Sequence, residues 1–380
     1  MGVLDHLEAL YETRTGPVPA ALDDRPTVAY VGADVPAEVI SAAGFTPFRF
    51  SGRAGAHESA ARYCGPGIDG LAVSQLARLL DAEAAAAAGL ALSADCEGTV
   101  RLFLYLREIQ RLEQRPGVPR LTFVDLLHLP HHTSSVYNRA QLDAFIVELS
   151  EWADRPITDA NLREAADEHD RVRELIRAVG TELRTGPNGP LLTGGQALVV
   201  IGAAFRTSPR IWCGLAAQLL ADAGRLPRRQ GIRVFLTGCG QDSPAAYDVI
   251  ESLGAVIVGE DHDWGTLAGE RIVGPSHDIR SALVRAHARA APASAGHAAL
   301  TRAEQTVRMA TTCGADLVVA WIRQYDDAPA WDVPLQRQAL ERVGIPLVAV
   351  PAQPYGAEGD GEAAGLLATT LHELTAEVSR

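Results

Sequence analysis

The hydrophobic pattern divides the chain into three stretches. From Thr27 to Gly32 an unbroken apolar run has the character of a buried strand. Pro36-Ala37-Glu38 opens a helix with proline in its first turn and an acid beside its positive end, and Gly44 stops it. Phe45 to Phe50 is a second strand, shortened or placed at an edge by Pro47. Gly89 to Leu92 and a segment within Arg120 to Leu129 follow as strands, and Thr99 to Leu112 as an amphipathic helix. The alanine run from Asp81 to Ala88 is also expected to be helical. Strands alternating with helices predict an α/β lobe.

The middle lacks a strand pattern. Arg139 to Trp152, Asp159 to Leu183, Leu191 to Ala204 and Pro209 to Ala223 all carry helical signals. From Ile232 the alternation returns, with strands at 232–237, 255–258, 316–321 and 346–350. Helices are expected at 244–253, 301–313, 335–343 and 364–378. The expected fold is α/β: two Rossmann/flavodoxin-like parallel-sheet lobes with a helical segment between them. The divisions are residues 1–135, 136–228 and 229–380, with a site in the cleft.

Composition narrows the function. A net charge of −13 without a basic run argues against nucleic acid and anionic membranes as partners. No apolar run is long enough for a membrane helix. The stretch Met1 to His6 has no signal-peptide character, and five cysteines without disulfide spacing fit a reducing cytoplasm. All 34 basic residues are arginine. That removes a Walker lysine, a Schiff-base lysine and pyridoxal-phosphate chemistry, so ATP used by this system is expected to be hydrolysed on another protein.

Several residues are candidates for chemistry. Cys64 and Cys96, 32 residues apart, each precede a helical segment. A helix start favours the thiolate, whereas a free cysteine is otherwise usually an inert buried residue. Glu38, at a helix start after the first strand, is either an acid at the cleft or a partner for the helix dipole. Arg323, Tyr325 and Asp326 leave a strand at its carboxyl end, where they either position a substrate or form a solvated loop. Gly238 to Ser243 resembles a dinucleotide fingerprint but lacks its third glycine, which favours a plain tight turn. Glu260 to Asp263 is expected to be a solvated loop, and His131 and His132 surface or capping residues.

Order and spacing of several segments resemble one family. They are Val35 to Val39 with Ala42-Ala43-Gly44, Cys64 and Cys96, Ile157 through Arg173, Arg233 to Gly238 with Gly254-Ala255, and Gly314 to Asp326 with Gly344-Ile345-Pro346. The chain resembles subunits of the 2-hydroxyacyl-CoA dehydratases, of the 2-hydroxyglutaryl-CoA dehydratase D-component type, which are related to benzoyl-CoA reductases. The resemblance implies a lyase subunit acting on an acyl-CoA, with a [4Fe-4S] cluster held by three cysteines, Cys64 and Cys96 among them. It also implies a homologous second subunit, in a homodimer or heterodimer, and an ATP-dependent activator that injects one electron. The thioester would become a ketyl radical that expels the 2-hydroxyl group.

The chain departs from the family where the third cysteine is expected, because Tyr325 stands there. The loop from Asp261 to Gly265 also lacks a cysteine common in relatives, and Cys239 and Cys313 are not obvious substitutes. Three readings follow: a catalytic subunit with an altered or lost cluster, a non-catalytic or electron-relay partner subunit, and a small-molecule binding protein on two lobes.

Overall fold

Val28, Ala29, Tyr30 and Val31 are all buried, which only a strand covered on both faces allows. In the computed structural model, which describes residues 2–55, 57–289, 296–356 and 361–378, this run is the centre of a sheet. Its strands are β1 (Ala21–Leu22), β2 (Arg25–Val31), β3 (Thr46–Arg49), β4 (Leu90–Ser93) and β5 (Leu121–Val124). β3 and β4 flank β2 in parallel and β5 pairs with β4, while the two-residue β1 runs antiparallel to the start of β2. The second sheet is β6 (Ile232–Gly238), β7 (Ala255–Glu260), β8 (Leu317–Arg323) and β9 (Leu347–Gln353), in the order β7-β6-β8-β9 and parallel throughout. Both sheets therefore place their first long strand between the second and the third. That reversal of strand order opens a crevice at the carboxyl edge, where open α/β sheets bind ligands.

Helices α1 (Val3–Glu12), α2 (Ala37–Ala42), α3 (Glu58–Ala61), α4 (Gly70–Leu80) and α5 (Glu97–Glu113) belong to the first part of the chain. Between the sheets run α6 (His132–Trp152), α7 (Asp159–Ala178), α8 (Gly194–Ala203) and α9 (Pro209–Ala221). α10 (Ala245–Ser252), α11 (Ile279–Arg289), α12 (Ala299–Thr312), α13 (Asp327–Glu341) and α14 (Gly361–Val378) complete the chain. Among the described residues no helix is long and apolar enough to cross a membrane.

The two sheets exchange helices. Leu7 and Tyr11 of α1 pack into the core that holds Val234 and Leu236 of the second sheet. Ile279 and Leu283 of α11 pack into the core that holds Val28 and Ala91 of the first. Each lobe thus depends on a helix whose sequence neighbours lie with the other. α7 continues as a π-helical stretch, Val179–Arg184. There the fully buried Arg184 grips Glu260 at 2.8 and 2.7 Å and fastens the middle helices to the end of β7.

Some local expectations fail for visible reasons. The alanine run after α4 is a series of turns and not a helix. Ala82 adopts φ 61°, which breaks any continuation, and Ala84 and Ala87 are buried in the core of the first lobe. α6 begins at His132, earlier than its apolar period shows, and α13 begins at Asp327 and runs through Pro334. α11, with apolar side chains spaced between arginines, gave no sequence signal.

Candidate functional site

The carboxyl edges of the two sheets face one cavity, with about 830 Å³ between its walls. Gly32 and Ala33 follow β2, Asp95 and Cys96 follow β4, and Gly238 and Cys239 lie at the end of β6. Arg323 ends β8 and Asp326 follows it. Two of these positions require glycine. Gly32 has φ +100°, and a Cβ there would strike Ser93 Oγ; Gly238 has φ +108°, and a Cβ there would strike the Trp321 carbonyl. Both crevice strands thus end in a left-handed turn that lets the backbone form the cavity wall.

Ion pairs join the lobes around this space. Arg323 Nε donates to Asp69 Oδ1 at 3.0 Å and Nη2 to Asp69 Oδ2 at 2.9 Å, and Nη1 donates to the Gly240 carbonyl at 2.5 Å. Asp69 also caps α4 by accepting from the Leu71 N–H at 3.1 Å. Asp242, in the turn that resembled a nucleotide fingerprint, accepts from the Gly52 N–H at 2.8 Å and from the Tyr355 hydroxyl. Its backbone carbonyl accepts from the Tyr11 hydroxyl and from Arg14. That turn is therefore a lobe-to-lobe clamp. Arg49 pairs with Asp263 and lies against the rings of Phe205 and Trp264, which meet each other edge to face.

The stretch from Glu260 to Asp263 is not the solvated loop expected of it. Glu260 holds Arg184, Asp261 accepts from Thr306, His262 meets the Tyr247 hydroxyl at 2.8 Å, and Asp263 holds Arg49. Four successive side chains take four separate partners, which rules out convergence on one ion.

Cys96 and Cys239 both line the cavity. Cys96 starts α5 with its Sγ 3.3 Å from Thr99 Oγ1, and Cys239 Sγ accepts from the Arg323 N–H at 3.1 Å. Burial, reinforced by the Asp95 carboxylate, pushes the Cys96 thiol up, and burial raises Cys239 well above its ordinary value. Both are neutral thiols, despite the helix start at Cys96. Cys64 is elsewhere: it packs against the core around Leu76 and Leu106, lines neither this cavity nor the next, and burial raises its thiol too.

Tyr325 is half exposed with φ 68° and borders a separate surface hollow with Gly98 and Asp327. Among the described residues, no group of three or more His, Cys, Asp or Glu side chains is placed to hold a metal ion. The donor set does not fit a [4Fe-4S] cluster, which takes thiolates. Of the cysteines, Cys96 and Cys239 line the cavity, and Cys64 and Tyr325, the other positions expected to hold the cluster, lie outside it.

The carboxyls around the cavity differ in state. Burial, with the Asp34 and Asp263 carboxylates adding to it, lifts Asp95 to about 6, against the backbone N–H of Ala33 at 2.8 Å. Burial would likewise raise Asp34, but His128 at 2.6 Å and Arg271 at 3.0 Å outweigh it and keep Asp34 low. Glu38 is fully buried, with Arg173 on one oxygen and His287 Nε2 at 3.0 Å on the other. Those partners overcome burial and hold it well below the usual range. Its carboxylate lines neither cavity and has no proton to give near neutral pH.

Of the residues singled out from sequence, Cys96, Arg323 and Asp326 meet at the cavity, while Glu38, Cys64 and Tyr325 do not. Cys239 joins them, although nothing in its spacing marked it out. Asp69, Asp95 and Asp242 were not singled out. Asp95, between a strand end and a helix start, carried a usable signal; Asp69 shows its role only once Arg323 is beside it.

No curated protein matches the chain. Residues 33–353 of 380 match the family described as 2-hydroxyglutaryl-CoA dehydratase, D-component, a span that includes β3 to β5 of the first sheet and the whole of the second, and the chain belongs to that family.

Proposed function

We propose that this chain is a subunit of a 2-hydroxyacyl-CoA dehydratase-type lyase that binds the acyl end of the thioester in the interlobe cavity without holding the [4Fe-4S] cluster itself. The observation that carries this reading is the cavity's cysteine content: among the described residues, Cys96 and Cys239 line it and no third cysteine does. The cluster then belongs to a homologous partner subunit, and the electron to an ATP-dependent activator, in keeping with a chain whose basic residues are all arginine.

Dehydration removes a hydroxyl group from C2 and a proton from C3 of the acyl chain. The residues of this chain that bear on it are donors and one carboxyl. Thr99 and Gln75 line the cavity and offer donors for a thioester carbonyl and a 2-hydroxyl group, while Arg302, also in the lining, is held by Asp332 and the His297 carbonyl. Asp95, lifted to about 6, exchanges a proton near neutral pH. The aliphatic faces of Val31 and Leu71 complete the lining.

Titration of a 2-hydroxyacyl-CoA into the purified chain, followed by calorimetry, tests this. Saturable binding abolished by Ala328→Trp, which fills the partly exposed rim of the cavity, is expected. Absence of binding, or binding indifferent to Ala328→Trp, contradicts it.

A further inference from the structure

A second cavity, with about 810 Å³ between its walls, lies beyond the Arg49–Asp263 pair. Gly32, Ala33, Arg49 and Asp263 line both spaces, so the ion pair and the β2 end form the partition. Part of the lining is apolar: Val35, Val172, Ile176, Ala204 and Leu267. The charged part is unequal. Arg49, Arg173 and Arg271 stand against the single carboxylate of Asp263. Glu38 and Asp170 hold Arg173 and Asp34 holds Arg271, and none of these three carboxylates lines either space. They leave the Nε–H of both arginines without an acceptor among the described residues.

A further polar group lies in the lining. Thr207 is 5% exposed, and its hydroxyl has no hydrogen-bond partner among the described residues. It precedes the 13-residue α9, whose N-cap Ser208 makes no capping bond and instead donates to Asp23. Pro209, at the first helical position, has no N–H, so the next two backbone N–H groups receive no side-chain cap. Asp23 draws on the same helix end through Ser208, but Asp23 does not line the cavity. A hydroxyl without a partner among the described residues and two incompletely satisfied guanidiniums thus border one apolar space, while Arg210 and Ile211, which carry the uncapped N–H groups, do not line it.

We propose that the second cavity is a binding site for a small carboxylic acid anion with an apolar body, held by Thr207, Arg173 and Arg271. Planar guanidiniums match a carboxylate, and the Thr207 hydroxyl offers it a further donor. The apolar lining distinguishes this ligand from inorganic phosphate, which has no surface to place against Val172, Ile176 and Leu267. The site is separate from the first cavity and does not depend on the acyl-thioester reading.

Hexanoate titrated into the full chain, read by calorimetry at neutral pH, is the test. Saturable binding at one site is expected. Thr207→Val should weaken it at least ~10-fold, the scale of one hydrogen bond to a charged group. Thr207→Ser should restore it, which separates hydroxyl loss from misfolding. Ala328→Trp, at the rim of the first cavity, should leave it unchanged, and hexanamide and inorganic phosphate should compete poorly. Lack of saturation, wild-type affinity in Thr207→Val, loss of binding in Ala328→Trp, or phosphate competing as well as hexanoate would each overturn the proposal.

Discussion

Arg323 and Asp69, 254 positions apart in sequence, form a two-pronged ion pair between the lobes beside the interlobe cavity, with side chains 7% and 6% exposed. Arg323 ends the third strand of the second sheet, and Asp69 caps a helix of the first lobe. The pair joins the lobes at the mouth of their shared crevice. Removing one partner leaves the other charge buried and unpaired. Arg323→Met is therefore expected to cost about 3 kcal/mol in urea unfolding. The double variant Arg323→Met, Asp69→Leu should recover part of that loss; additive losses would show that the two residues do not act as a pair.

Glu38 is the anion at the centre of a buried cluster with Arg173 and His287. Glu38→Gln is expected to destabilise the protein by about 3 kcal/mol, because Arg173 and His287 lose the carboxylate between them, although Arg173 keeps Asp170 at 2.9 Å. A role confined to the α2 dipole would cost under ~1 kcal/mol, so equilibrium unfolding separates the two.

His169 lines the second cavity with its Nε2 2.8 Å from Ser41 Oγ, and burial lowers it from 6.5 to about 4. The unfolded chain then binds a proton there between pH 6.5 and pH 4 that the folded chain does not. Its contribution to stability is present above pH 6.5 and falls progressively as pH drops toward 4. His169→Gln, which keeps a partner for Ser41, should flatten stability across that window. An unchanged slope in the variant would mean that His169 is not held neutral.

Much of this was legible in the sequence. β2, β6 and β8 are buried on both faces, so each appears as an apolar run that no turn residue interrupts. The place of Cys96 followed from the same logic, because a strand end followed by a helix start lies at a carboxyl edge. What escaped depends on how the lobes dock. Cys239 reaches Cys96's cavity only because the second sheet turns its carboxyl edge toward the first. Tyr325 follows that edge too, yet its φ of 68° swings it outward to solvent. Local spacing contains neither fact. The alanine run failed for the opposite reason: local propensity favoured helix, and burial of Ala84 and Ala87 outweighed it.

The outward position of Tyr325 yields a prediction of its own. A non-glycine residue in the left-handed region costs about 1–2 kcal/mol, and glycine returns part of that in chain entropy. Tyr325→Gly should therefore leave stability unchanged or raise it by up to about 1 kcal/mol in thermal unfolding. A clear loss would mean that the tyrosine ring makes a stabilising contact.

The central claim is that the cavity between the lobes has too few sulfur ligands for a cluster of its own. Iron and acid-labile sulfide, measured after anaerobic reconstitution of the chain alone, test it most directly. The account predicts no stoichiometric cluster. About four iron and four sulfide per chain, lost in both Cys96→Ser and Cys239→Ser, would contradict it.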